Sequence, residues 1–306
     1  DSVASRGLGD VYKRQYNIRG WLTDINNVHA TPTMETGGKL FAFHISYDQL
    51  RYSAARTETA RALYNGNISQ TFWKTPAQSL RSYDYQYDGL NRLLNATFYK
   101  GTSTTQKNYY DEQLSYDHNG NITQVSRNGT TETGTPVLID QLSYHYQQQS
   151  NKLLKVSDHS NHSEGFADGT NAGDDYVYDE NGNLIQDLNK GISEIKYNYL
   201  NLPTEVIWNS NKRIHYAYDA NGVKLRKVVI DGSKVTTTDY LGGFQYVNNI
   251  LQFFPTAEGY VNVVNCQSCI ESRTYNYVYN YTDHLGNARL SYAWDDTENK
   301  LKILEE

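Results

Sequence analysis

Tyrosines recur at every second position along this chain, in short runs separated by polar text. The runs are Tyr83, Tyr85 and Tyr87; Tyr144 and Tyr146; Tyr176 and Tyr178; Tyr197 and Tyr199; Tyr216 and Tyr218; and Tyr275, Tyr277, Tyr279 and Tyr281. A period of two places side chains on one face of a β-strand, whereas helical spacing would scatter the rings. After several runs comes Asp, followed in three copies by Asn-Gly, at Asn119-Gly120, Asn181-Gly182 and Asn221-Gly222. Asn and Gly both tolerate positive φ, so the dipeptide predicts a hairpin turn. The Asp carboxylate is expected to accept hydrogen bonds from turn N–H groups. Apolar residues then resume, as in Leu184-Ile185 and Val228-Val229-Ile230.

One phrase therefore returns. It reads YDHNGNIT at Tyr116–Thr123, YDENGNLI at Tyr178–Ile185 and YDANGVKL at Tyr218–Leu225. Looser copies are YNGNIS at Tyr64–Ser69, YDGLNRLL at Tyr87–Leu94 and TDHLGNAR at Thr282–Arg289. Repetition of a fixed phrase means repeat architecture. Unequal intervals between the copies suit hairpins with loops of varying length better than a rigid solenoid. The expected fold class is all-β.

Composition agrees. The chain of 306 residues carries 28 Tyr against 8 Phe and 1 Met, and 38% of its residues are hydrophobic. A sheet wetted on one face needs fewer apolar residues than a compact globule, because alternate side chains meet water. With only 5 Pro, strands are rarely interrupted. A net charge of −6 and no basic patch argue against nucleic acid as a partner. No apolar run reaches the length of a membrane-spanning helix, so no membrane span is expected. Residues 1–15 lack the tyrosine pattern and the apolar region of a signal peptide. They read as a non-native leader or assembly scar, apart from a repeat region at 16–306 that looks incomplete at both ends.

Candidate chemistry is sparse. Cys266 and Cys269 form a single C-x-x-C with no second ligand pair for zinc, so they read as a structural or incidental pair. The turn Asp179–Asn183 offers oxygens at alternate positions. An EF-hand loop would next need Gly and a later Glu where Leu184 and Lys190 stand. His159 and His162 lie in an acidic stretch, Ser157–Asp175, that reads as a solvated loop. Recurring Asp residues invite a glycosidase reading, but turn formation already accounts for them. No nucleophile elbow, Walker loop or H-E-x-x-H occurs. The expectation is no enzyme, no cofactor, no metal and no catalytic residue. The tyrosine stripes, with Trp21, Trp73, Trp208 and Trp294, are either sugar-stacking platforms or cross-strand packing ladders, and packing is the favoured reading.

The Y-D-x-N-G-N-L phrases resemble the YD repeats of the RHS family, in its Bacteroidetes-type form. YNIRGWLTDIN at Tyr16–Asn26, GFADGTNAGDDYVYDENGNLIQDLNKGI at Gly165–Ile192, YNYLNLPTEVI at Tyr197–Ile207 and YTDHLGNARLSY at Tyr281–Tyr292 are similar to phrases of that family, in that order. The resemblance implies β-hairpins side by side in a long antiparallel ribbon spiralling into part of a hollow shell. Coiling would also pair ribbon edges that are otherwise sticky. It implies a secreted or cell-surface bacterial protein whose shell wall encapsulates a C-terminal toxin or effector encoded downstream. That covalently linked cargo domain is the implied partner. Family cores often end in an aspartate-rich self-cleavage motif beyond the Asp283–Asn287 phrase, so no cleavage activity falls on these residues. The alternative is a cell-surface adhesin or carbohydrate-binding repeat protein with glycans as partners.

Overall fold

A computed structural model describes residues 14–28, 40–51, 56, 59–76, 78–101, 108–129, 135–169, 172–265, 273–283, 285–296 and 298–305. Cys266, Cys269 and residues 1–13 of the expected leader lie outside the described residues. Among those described, regular structure is β throughout, with no helix.

The first sheet contains β1 (Arg14–Tyr16), β2 (Leu22–Ile25), β3 (Ala42–Ser46), β4 (Gln70–Lys74) and β5 (Arg81–Tyr87). It continues with β6 (Leu93–Lys100), β7 (Glu112–Tyr116), β8 (Ile122–Gly129), β9 (Val137–Tyr146) and β10 (Leu153–Asp158). β11 (Tyr176–Tyr178) and β12 (Leu184–Asp187) form a two-stranded sheet. The third sheet opens with β13 (Glu194–Tyr197), β14 (Pro203–Asn209), β15 (Lys212–Tyr218), β16 (Lys224–Asp231) and β17 (Lys234–Leu241). β18 (Phe244–Val247), β19 (Ile250–Thr256), β20 (Gly259–Asn265), β21 (Arg273–Thr282), β22 (Ala288–Asp295) and β23 (Lys300–Glu305) complete it. In all three sheets the strand order is the sequence order, with no crossover. Pairing is antiparallel, so the expected chain of consecutive hairpins is what forms. Arg14 and Gln15, grouped with the leader in the sequence, pair with Ile25 and Asp24 as part of β1.

The chain divides into two compact units. One comprises 1–144, 157–166 and 282–287; the other comprises 145–156, 167–281 and 288–306. The first holds the drier core: Leu22, Ile25, Phe41, Ile45, Phe72 and Phe98 are all buried. Every residue of β3 is buried, so both faces of the sheet are covered there. In the second unit, Val261, Val263, Val278, Tyr281, Leu290 and Tyr292 are buried, and Tyr292 packs on Tyr279 and Tyr281. From β13 to β19 most residues are only half-buried, the arrangement that a low apolar content permits.

Candidate interaction surface

The repeated phrase builds one local device. At seven places among the described residues an Asx residue opens the same turn: Asn17, Asp88, Asp117, Asp179, Asn198, Asp219 and Asp283. In each, the Asx carbonyl accepts from the N–H three residues on, and the Asx N–H donates to the carbonyl four residues on. One side-chain oxygen accepts two further backbone N–H groups. For Asp179 these come from Asn181 at 2.9 Å and Asn183 at 2.8 Å. Positive φ falls on the fourth residue of the turn, which is Gly20, Asn91, Gly120, Gly182, Asn201, Gly222 or Gly286.

This corrects the reading of Asn-Gly. The Asn of each pair does not adopt positive φ; only the Gly does. The loop is a type I turn closed by a left-handed residue, not a two-residue turn with two positive φ values. The tyrosine before the turn carries the register shift, as at Tyr87, Tyr116, Tyr178, Tyr197 and Tyr218.

That tyrosine also staples one hairpin to the one before it. The hydroxyl of Tyr116 donates to Leu93 O, Tyr197 to Leu184 O and Tyr218 to Pro203 O, at 2.6–2.9 Å; Tyr47, which precedes no such turn, makes the same bond to Leu22 O. Each acceptor is the first residue after the preceding turn. Tyr87 and Tyr178 reach Ile68 O and Leu153 O in the same way. Each bond contributes about 1 kcal/mol net. Burial, and then the neighbouring Tyr85, push the Tyr87 phenol up to about 12.

The turn carboxylates are held below their ordinary range. For Asp179 the Asn183 side-chain amide is the main cause; desolvation opposes it, and the backbone N–H groups of Asn183, Asn181 and Gly182 together tip the balance further down. A depressed folded pKa means stability that is complete above the unfolded value of 3.8 and lost as pH falls through the lower folded value. Asp179→Asn is expected to keep its hairpin, since Asn17 and Asn198 already hold the same position. Its melting temperature should fall less on acidification below 3.8 than that of the parent. Equal acid sensitivity of the two proteins would contradict the assignment.

The residues weighed for other chemistry are engaged structurally. Asp179, the first oxygen of the calcium reading, spends its second oxygen on the Asn183 amide at 2.9 Å. His162 Nδ1 accepts from the Glu164 N–H, and His159 Nε2 lies 3.4 Å from Ser143 Oγ. No cluster of three or more His, Cys, Asp or Glu suited to a metal ion exists among the described residues. Trp73 stacks on Tyr83 with ring centroids 5.8 Å apart, and Tyr83 stacks on Tyr85 at 5.9 Å. Trp21 packs against Tyr47, and Trp208 donates Nε1–H to Lys190 O while Lys212 lies over its ring. Trp294 pairs across the ladder with Leu301. The stripe from Tyr275 to Tyr281 is graded: Tyr275 and Tyr277 are exposed, whereas Tyr281 is fully buried.

A second class of aspartates escaped the sequence reading. Asp111, Asp140, Asp158 and Asp175 are buried, and each accepts a backbone N–H, from Phe98, Phe166, Gln141 and Val156 respectively, at 2.6–2.9 Å. They satisfy backbone donors that the strand ladder leaves open. Also unforeseen is the series Ser46, His44 and Asp24, with Ser46 Oγ 3.1 Å from His44 Nε2 and His44 Nδ1 2.7 Å from Asp24 Oδ1. The order is that of a nucleophile, base and orienting acid. Ser46, however, is 2% exposed inside a paired strand, so no substrate carbonyl can reach it. Burial raises the Asp24 carboxyl most, but the hydrogen bond and charge of His44, with Thr23 and Arg51, together hold it below its ordinary range.

No protein-family model matches the chain, and no curated protein does. Among solved structures it is similar to a chain in the crystal structure of TcdB2-TccC3-Cdc42. The TM-score is 0.54 at 13% identity. The two share a fold. The similarity covers 95% of this chain and 15% of that chain, so the present chain spans a small part of its neighbour's length.

Among the described residues, one groove lies on a face of β7, β8 and β9. Gln113, Ser115, Gln124, Ser126, Gln141, Ser143 and His159 line it together with Val125 and Leu142, around a cavity of about 320 Å³. A signal for it stood in the sequence. Three Gln-apolar-Ser triplets, Gln113–Ser115, Gln124–Ser126 and Gln141–Ser143, put two polar residues on the same strand face each time.

Proposed function

We propose that this chain is a wall segment of an RHS-type YD-repeat shell, a non-enzymatic part of an exported bacterial protein that encloses a cargo polypeptide encoded downstream. The observation that carries the reading is the stapled turn. One Asx-headed loop recurs seven times among the described residues, and the tyrosine before several of these turns is hydrogen-bonded to the start of the preceding hairpin's return strand. Such a device lays hairpins side by side without limit of number, which is what a wall needs. Strand order equal to sequence order supports the same reading, as does the fold shared with a much longer chain.

Enclosure makes a physical prediction. The gene's full product, expressed with the segment downstream of Glu306, is expected to protect that segment from protease until the wall is unfolded by denaturant. Immediate digestion of the segment at protease levels that leave the repeats intact would overturn enclosure. A frame that runs instead into a wall anchor would favour a surface adhesin.

A further inference from the structure

We propose that Asn181-Gly182, in the turn between β11 and β12, is a modification site at which Asn181 deamidates spontaneously to aspartate and isoaspartate. The reaction is intramolecular. The backbone nitrogen of Gly182 attacks Cγ of Asn181 and closes a cyclic imide. The Cγ–Nδ2 bond breaks, and the amide departs as ammonia with the proton that the backbone nitrogen gives up. Water then adds to one of the two imide carbonyls and opens the ring, leaving aspartate or isoaspartate. Nothing but water is consumed. Glycine after asparagine favours the step, because it has no Cβ to crowd the approach.

The chain holds five Asn-Gly pairs: Asn65-Gly66, Asn119-Gly120, Asn128-Gly129, Asn181-Gly182 and Asn221-Gly222. Their surroundings separate them. Asn65 Nδ2 donates to Asn91 Oδ1 at 2.7 Å, and Asn128 Nδ2 donates to Asn108 O at 2.9 Å, which holds both amides away from the next nitrogen. The Asn128-Gly129 pair also ends β8, inside its ladder with β9. At Asn119-Gly120 the Arg92 guanidinium donates to Asp117 O at 2.9 Å, bracing the carbonyl that receives the Gly120 N–H. Asn181 and Asn221 are exposed, and among the described residues no hydrogen bond holds either side-chain amide.

In both folded turns the attacking nitrogen is occupied. The N–H groups of Gly182 and Gly222 donate to Asp179 O and Asp219 O, each at 3.1 Å. Reaction therefore waits on opening of the turn, and there the two sites part. Asn221-Gly222 joins β15 and β16, strands of seven and eight residues within the eleven-stranded sheet. Asn181-Gly182 joins β11 and β12, strands of three and four residues that form a sheet by themselves. A two-stranded ladder is marginal and opens locally. The product then acts on the turn. Isoaspartate inserts one backbone carbon between positions 181 and 182, inside the loop that Asp179 closes on the Asn181 and Asn183 N–H groups. Either product adds a carboxylate near Asp179 and Glu180. Deamidation thus loosens one hairpin of the array as the protein ages.

The test is incubation of the 306-residue chain in mildly alkaline buffer, folded and in urea, with peptide mapping by mass spectrometry over time. Isoaspartate is read separately, by methyl transfer with an isoaspartyl methyltransferase. The urea sample gives the rate of each pair without structure. Relative to that rate, Asn181 in the folded protein is expected to react about threefold or more faster than Asn221, and about tenfold or more faster than Asn65, Asn119 and Asn128. Tyr197→Phe removes the hydroxyl bond to Leu184 O beside the turn, and should speed conversion at Asn181 about fivefold with Asn119 unchanged. Three results would overturn the proposal: equal relative rates at Asn181 and Asn221, a faster relative rate at any other pair, or an unreacted Asn181 once the urea sample has converted fully. The parent protein alone decides this even if the variant fails to fold.

Discussion

Asp84→Ala is expected to destabilise the first unit by about 3–5 kcal/mol, the largest effect of any single change considered. Asp84 and Arg56 are both fully buried, with Oδ1 3.5 Å from Nη1. Asp84 also accepts from Gln70 Nε2 and Thr59 Oγ1, both at 2.8 Å. The Arg56 guanidinium lies 3.7 Å from the centre of the Tyr99 ring. Desolvation raises the Asp84 carboxyl above its ordinary value, and the Gln70, Thr59 and Arg56 contacts counter it only in part. The pair is therefore no great source of stability by itself. Its removal by half is what costs, because a buried cation would lose the carboxylate that faces it. The double change Asp84→Leu with Arg56→Met should recover much of the loss. Urea denaturation of the three proteins checks this. A single-mutant loss below about 1 kcal/mol would show that the site admits water.

Gly222→Val is expected to destabilise its hairpin by about 1–3 kcal/mol, and by more than Gly182→Val. Both glycines sit at positive φ, +83° and +84°, where a β-branched side chain is strained. They differ in surroundings. A Cβ on Gly182 would meet nothing within 4 Å, whereas one on Gly222 would lie 3.0 Å from Leu202 Cδ1. The difference between the two melting temperatures separates backbone strain from crowding. An equal loss at both sites would assign the whole effect to φ, and no loss at either would refute the turn geometry.

How much of this the residues announce depends on how local the cause is. The turn was readable because its bonds join residues no more than four apart, such as Asp117 with Asn119 and Asn121. The Asn-Gly pair was read with the right outcome and the wrong geometry, since type I and mirror-image turns share the same residues and differ in which one takes positive φ. The tyrosine stripes were readable as strands, because period two needs no partner. Which rings are buried was not: Tyr281 and Tyr275 look alike in sequence, and their neighbours decide between them. The buried aspartates that accept backbone N–H groups were also unreadable. Asp140 reaches Phe166 across 26 residues, and nothing in the spacing marks the pair.

Local chemistry in the chain thus determined the all-β class, the place of each hairpin and the residue types at each turn. Tertiary structure decided what lies opposite what. The groove on β7, β8 and β9 shows why. The three Gln-apolar-Ser triplets are written in the sequence, but a slip of one residue between β8 and β9 would send one set to the other face of the sheet. Bonds from distant parts of the chain hold β9 in that register, such as the Asp158 carboxylate accepting the Gln141 N–H and Asp140 accepting the Phe166 N–H.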